Sequence, residues 1–539
     1  MTSPPPGSVP DSTTDSTPGR TTDHATDDTA DHAGRTGHGT ARGADDRATD
    51  GPSGAHTDTS AGAAAGTAES TGSPPAGSPP PGCPAHGLGP DGVRRLYGPE
   101  ADADPLALYE RLRREHGAVA PVLLPGDRPA WLVLGHRENL EVARTPSLFS
   151  RDSRLWRDMQ QGKVPPDHPL APLTMWQPLC VFADGEEHAR LRKAVTESLS
   201  RFEARGIRRY VTRFAHQLID EFEPEGKADL VEQFADQLPL RVITQLFGMP
   251  EHYGPRLTDA AKDMIRGSET AVASNDYITD ALQDLVDRKR AEPGHDVASK
   301  LLEHPAKLSN DEVREHLRVV LVSANEPTVN LIANTLRLVL TDQRFRATLA
   351  GGHMTLPDAL EQVLWDEPPM TTNIGRWATG DAQLAGKTIK SGDLLLLGLA
   401  AGNADPQIRP DKSTPMHGNR SHLAFSGGPH ECPGQDLGRA IVDTGIDTLL
   451  TRLPDLRLAV PEEKLSWETA LMSRRLVSLP VEFAPRRRDG GTGPGAGAPS
   501  VELPPLQTPE PASVPLPPEA PSAEHPSWWT SFKQWLRGR

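Results

Sequence analysis

From residue 86 to residue 485 apolar side chains recur mostly at three- and four-residue intervals, which predicts a largely helical body. Leu106 to His116 reads as a short amphipathic helix, and Val119–Leu124 with Ala130–Leu134 as a pair of strands. Helices are predicted over Glu186–Ser200, Gly206–Phe222 and Asp229–Phe247, the last closing at Gly248 and Pro250. Ser309 and Glu312 form a capping box that opens a helix running to about Leu340, longer than the roughly 8–20 residues usual in globular proteins. A shorter helix over Pro357–Trp365 leads into strands between Thr371 and Leu397, and a last helix covers Gln435–Leu453. No βαβ alternation is present, so the expected class is α+β, mainly α-helical, with small β-sheets and one long central helix.

The two ends break this pattern. Residues 1–85 are almost free of large apolar side chains and are expected to be a disordered tail, because they bury too little surface to offset their ordering entropy. Residues 486–526 read as a Pro/Gly-rich linker. Beyond it, Trp528, Trp529, Phe532, Trp535 and Leu536 fall at helical spacing, with Lys533, Arg537 and Arg539 on or near the other face. Residues 527–539 are therefore expected to form an amphipathic docking helix for a membrane surface or a protein partner; folding back onto the body is the alternative.

Composition narrows the class. The 539 residues include only three cysteines, Cys83, Cys180 and Cys432, which excludes a disulfide framework and points to a reducing compartment. The N-terminus has neither a basic nor an apolar signal region, and no apolar run approaches the roughly 20 residues of a membrane span. A formal net charge of −16 argues against nucleic-acid binding. A cytoplasmic protein is expected, peripheral at the membrane if the terminal helix docks there.

The chemistry concentrates in Phe425-Ser426-Gly427-Gly428-Pro429-His430-Glu431-Cys432-Pro433-Gly434. Glycines at 427, 428 and 434 allow positive φ and a close backbone approach to a flat ligand. Cys432 precedes a helix N-terminus, where the dipole favours a thiolate able to ligate iron. The segment matches F-x-x-G-x-[H/R]-x-C-x-G at every fixed position and resembles the haem-binding loop of the cytochrome P450 superfamily, in its soluble bacterial form. An isolated cysteine beside a glycine-rich turn would instead read as a buried free thiol.

That resemblance spans about residues 85–485 and implies haem b (iron protoporphyrin IX), with Cys432 as the metal ligand and Phe425, Gly428, His430 and Gly434 as its loop. His188 and Arg192, an H-x-x-x-R pair on one helical face, resemble the pair that holds one haem propionate. Arg376 resembles the strand arginine that holds the other, and Ala324 the small residue that leaves room for oxygen over the haem.

Two departures stand out. In Ser323-Ala324-Asn325-Glu326-Pro327-Thr328 the family's acid is kept as Glu326, but Pro327 takes the place of the threonine that helps deliver protons to oxygen. Glu326, with Thr328 if a proline kink rotates it inward, is the expected proton relay. The family's E-x-x-R motif is also missing. With the register fixed on Pro368-Pro369, Gln362 and Trp365 replace its acid and arginine, and His417 the third partner. The chain thus resembles an actinobacterial branch without this motif, in which a buried ion network is traded for neutral residues.

The expected function is a haem-thiolate monooxygenase acting on a small organic substrate, with electrons from a ferredoxin and its reductase. Arg190 and Lys193 are candidate cations for ferredoxin docking, although an ordinary solvated helix face is the slightly favoured reading. Pro327 leaves open a peroxide-using peroxygenase, and the degraded motifs a haem-binding sensor or scaffold with little turnover.

Overall fold

The computed structural model describes Gly89 and residues 92–485, apart from 203, 267–269, 353 and 417. The expected tail, linker and docking helix, and His417, lie outside the described residues.

Helix α1 (Pro105–His116) starts at Asp104, whose side chain accepts from the Ala107 amide, and stops at Gly117. Strands β1 (Val119–Leu124) and β2 (Arg128–Val133) pair antiparallel, with Val122 opposite Ala130. Helix α2 (His136–Arg144) and the short β3 (Phe149–Ser150) follow, then α3 (Gly185–Ser200) and α4 (Ala204–Phe222).

The single helix expected over 229–247 is not formed. The chain makes a strand at Lys227–Asp229, a π-helical turn at Val231–Ala235, and then α5 (Leu238–Leu246). Pro239 has no N–H to continue an earlier helix, and it occupies the first turn of a new one, where none is needed.

Helix α6 (Asn310–Thr341) is the long central helix, and its capping box is present. The Ser309 hydroxyl accepts from the Glu312 amide at 3.1 Å, and the Glu312 carboxylate accepts from the Ser309 amide at 2.8 Å. The helix is unbroken through Pro327. Since residue 327 has no N–H, the Ser323 carbonyl lacks its usual partner four residues on.

The remaining elements that frame the site are α7 (Leu356–Asp366), β4 (Asn373–Ala378), β5 (Leu394–Leu397), α8 (Gln435–Arg452), and a hairpin of β6 (Trp467–Thr469) and β7 (Arg474–Leu476). A five-stranded sheet runs β1-β2-β5-β4-β3; β2 and β5 are parallel and the other pairs antiparallel.

The largest apolar core joins α4, α6 and α8 through Val211, Leu218, Phe222, Leu317, Ile332, Leu336, Val442 and Ile446, all buried. Each such side chain contributes about 1.5–3 kcal/mol of burial energy. That packing, rather than helix propensity, holds α6 across its proline. No described helix is long and apolar enough to cross a membrane.

Candidate functional site

A cavity of about 300 Å³ lies between the middle of α6, the start of α8 and β4. Ser323, Ala324, Pro327, Thr328 and Leu331 line one side, and Phe425, His430, Cys432 and Gly434 line the other. The α6 residues follow the three- and four-residue spacing of one helical face. Glu326 falls off that face. Its carboxylate accepts instead from the Ser473 hydroxyl at 2.6 Å, beside β7. Thr328 does reach the cavity without a break in the helix, and its hydroxyl donates to the Ala324 carbonyl at 2.7 Å.

The cysteine loop closes on itself, the Cys432 amide donating to the Phe425 carbonyl at 3.0 Å. The conformational expectation for its glycines is only partly met. Gly428 has φ 70°, and a Cβ there would lie 2.3 Å from the Ala143 carbonyl oxygen. Gly427 is extended (φ −167°) and Gly434 has φ −104°. The second left-handed residue is Ser426, at φ 60°. Holding a non-glycine there costs on the order of 1 kcal/mol.

The thiolate expectation also needs correction. Burial pushes the Cys432 thiol up, against the smaller opposing effects of a Gly434 amide hydrogen bond and the Arg192 charge. Helix α8 begins only at Gln435, so the sulfur stands outside its first turn. A metal cation held there would deprotonate the sulfur, as coordination does to a thiol.

Beside the loop is an unbalanced group of buried cations. Arg376 is 2% exposed; one guanidinium nitrogen donates to the Gly375 carbonyl at 3.1 Å, and Nη2 has no partner. Burial, then repulsion from Arg151, holds its pKa well below the ordinary value. Arg376 is aimed here by a β-bulge at Gly375, where φ is 100° and a Cβ would lie 2.7 Å from Arg151 Nη1.

Arg151 donates to the carbonyls of Val181, Ile374 and Gly375 at 2.6–2.8 Å, and burial draws its pKa down to about 10. Arg192 lines the cavity, bonding Thr196 at 3.1 Å and the Glu431 carbonyl. His188 is buried with no partner at Nε2, its ring 4.0 Å from that of His430. Burial and the neighbouring Arg192 lower its pKa.

One carboxylate, Asp184, sits within the group. It accepts from Ser150 Oγ at 2.6 Å, the Arg151 amide at 2.8 Å and His430 Nε2 at 3.3 Å. Burial alone would raise its pKa, but these bonds together hold it at about 2. Burial lowers His430 to about 3, so the ring is neutral and donates to Asp184.

Three arginines against one carboxylate, with orphaned buried donors on Arg376 and His188, form a receptor for more than one further anion. Haem, whose two propionates supply that charge and whose iron needs one sulfur ligand, fits these residues. Among the described residues no three His, Cys, Asp or Glu side chains form a metal-binding group.

Sequence reasoning did not find Arg151. No local motif marks it, because its hydrogen bonds go to backbone carbonyls far along the chain. Nor did it find the charge on α7. Gln362 accepts from the Met416 amide at 2.6 Å and Trp365 donates to the Asn419 carbonyl at 2.8 Å, so neutral side chains do hold this segment. The buried ion network is nevertheless not lost. It is centred one residue earlier, on Glu361.

No family model matches the chain. Among curated proteins it is 31% identical over 396 residues to the mycinamicin IV hydroxylase/epoxidase of Micromonospora griseorubida, covering 68% of this chain and 93% of that one. It is 31% identical over 397 residues to the nocardicin C N-oxygenase of Nocardia uniformis, covering 70% and 97%. Among solved structures, the myxobacterial cytochrome P450 CYP267B1 in complex with myristic acid aligns with a TM-score of 0.64 at 29% identity, over 72% of this chain and 98% of that one.

Proposed function

The chain belongs to the cytochrome P450 superfamily of haem-thiolate monooxygenases, and on that premise we propose that it inserts one oxygen atom from O2 into a small, largely apolar organic substrate, with electrons supplied by a ferredoxin and its reductase. The observation that carries the reading is that Cys432 shares one cavity with Arg192 and with the buried, unsatisfied Arg376. Haem bound there supplies the activation of oxygen, and every other role falls to the protein.

Cys432 is the iron ligand. Arg192, Arg376, His188 and His430 are assigned to the propionates, with Asp184 fixing His430. Val181, Val195, Ile243, Val320 and Met370 give the cavity an apolar wall, which supports an apolar substrate and excludes bulk water. Relatives named for hydroxylation, epoxidation and N-oxygenation support oxygen insertion as the reaction.

Proton handling is assigned to Thr328. Its hydroxyl already donates to the Ala324 carbonyl, leaving its lone pairs to accept at the cavity wall. The expected relay through Glu326 is not supported, because that carboxylate is engaged by Ser473. Docking through Arg190 is not supported either: it is paired with Glu187 and Glu312, while Lys193, with 68% of its side chain exposed, has Glu197 as its partner at 3.9 Å.

The reduced protein with carbon monoxide is expected to show the absorption of a thiolate-ligated haem and to lose it in Cys432→Ala. A wild-type spectrum without that band overturns the assignment. Thr328→Val is expected to lower product per electron roughly 10- to 100-fold, with the excess electrons appearing as hydrogen peroxide. Pro327 favours one second reading, peroxide-driven turnover. Product formed on hydrogen peroxide alone, at a rate matching the ferredoxin-supported one, selects it.

A further inference from the structure

Glu361, on α7, is 3% exposed. A carboxylate this deep is strongly destabilising unless it is fully paired. Both of its oxygens are used. Oε1 accepts from Arg439 Nε at 2.7 Å and pairs with Arg420 Nε at 3.5 Å; Oε2 accepts from His422 Nε2 at 2.9 Å and Arg439 Nη2 at 3.3 Å. His422 Nδ1 accepts from the Ala424 amide at 3.3 Å, which leaves the proton on Nε2, facing Glu361.

Two of these partners, His422 and Arg439, bracket the cysteine loop. His422 enters it, just ahead of Phe425, and Arg439 lies on α8, which leaves it. Arg439 also covers the Phe425 ring, its guanidinium carbon 4.5 Å from the ring centre, and donates to Gln435 at 3.2 Å. One carboxylate therefore ties the incoming segment, the first aromatic residue and the outgoing helix of the loop to an element from elsewhere in the chain. Gln362 and Trp365 do not do this. Their bonds go to Asp366, Met416 and Asn419, none of them in the loop.

We propose that Glu361 is the positioning residue of the haem ligand: by clasping His422 and Arg439 it fixes both ends of the loop and so holds the Cys432 sulfur where it bonds iron as a thiolate. The assignment rests on the haem reading above. Arg439 is a bidentate partner, a geometry lysine does not reproduce.

The test uses the full-length holoprotein and the carbonyl spectrum of its reduced form. That spectrum separates thiolate-ligated from thiol-ligated haem, and the thermal midpoint is recorded alongside. In Glu361→Gln and Arg439→Lys the ratio of thiolate to thiol form falls roughly tenfold, as expected for one lost hydrogen bond to a charged group. His422→Leu follows them, and His422→Gln, which keeps a donor at the same reach, restores much of the ratio. Gln362→Ala lowers the thermal midpoint and leaves the ratio alone.

An unchanged ratio in Glu361→Gln overturns the assignment. So does an equal loss in Gln362→Ala, which would show general loosening. If Glu361→Gln yields no folded protein, the His422 pair decides: no difference between Leu and Gln at 422 overturns it. A wild-type protein with no Cys432-dependent band overturns the haem reading and this assignment with it.

Discussion

At the scale of single residues the site is a problem of charge, and its pH dependence follows. In the folded protein Asp184 titrates at about 2 instead of its ordinary 3.8, and His430 at about 3 instead of 6.5. The depressed carboxylate contributes stability that is present above its unfolded value and lost as pH falls through 3.8 toward 2. His430 acts in the same direction, since the unfolded chain takes up its proton from about 6.5 downward while the folded one resists until about 3. Haem-free protein is thus expected to lose stability progressively below about pH 6.5, and His430→Asn, followed by thermal unfolding from pH 7 to 4, is expected to flatten that slope. Much of this group was legible in the sequence. Cys432, Phe425, His430, Arg192 and Arg376 belong to local patterns whose spacing survives in one dimension. Arg151 does not, because what holds it is a set of carbonyls from two distant segments. Glu361 was visible as a letter but not as a charge centre, since the Pro368 register drew attention to the next residue.

At the scale of elements, α6 shows how far a local rule reaches. Its start was readable from Ser309 and Glu312 alone, because a capping box is complete within four residues. Its behaviour at Pro327 was not, because the apolar core that Leu317, Ile332 and Leu336 share with α4 and α8 decides it. The expected kink was to rotate Thr328 inward, yet Thr328 reaches the cavity in an unbroken helix. The break at residues 230–237 was hidden for the opposite reason. Its apolar spacing continues through Pro239, and only the missing N–H marks the new start. Pro327→Ala restores a donor for the Ser323 carbonyl and is expected to stabilise the protein by up to about 3 kcal/mol. Chemical denaturation, read as a raised midpoint at constant slope, checks it. The same variant separates the proline's effect on the helix from the loss of the family's hydroxyl, since alanine restores the first and not the second.

At the scale of the whole molecule, the mainly helical α+β architecture with a long central helix was legible from periodicity, while the order of the five-stranded sheet was not, since β5 inserts between β2 and β4 from far along the chain. That insertion brings β4, and with it Arg376, to the cavity. Arg376→Met is expected to make haem-free protein more stable by about 1–3 kcal/mol, because it deletes a buried charge with an orphaned donor, and to weaken haem retention. Opposite signs of the thermal shift with and without haem check it. The unpartnered Arg376 then has a meaning beyond the reaction. A molecule short of counter-ions in its interior is stabilised by the ligand that supplies them, by an amount that rises with the logarithm of the free ligand concentration. The empty protein opens more often and meets proteases more often, so the supply of haem in the cell sets how much of the protein persists.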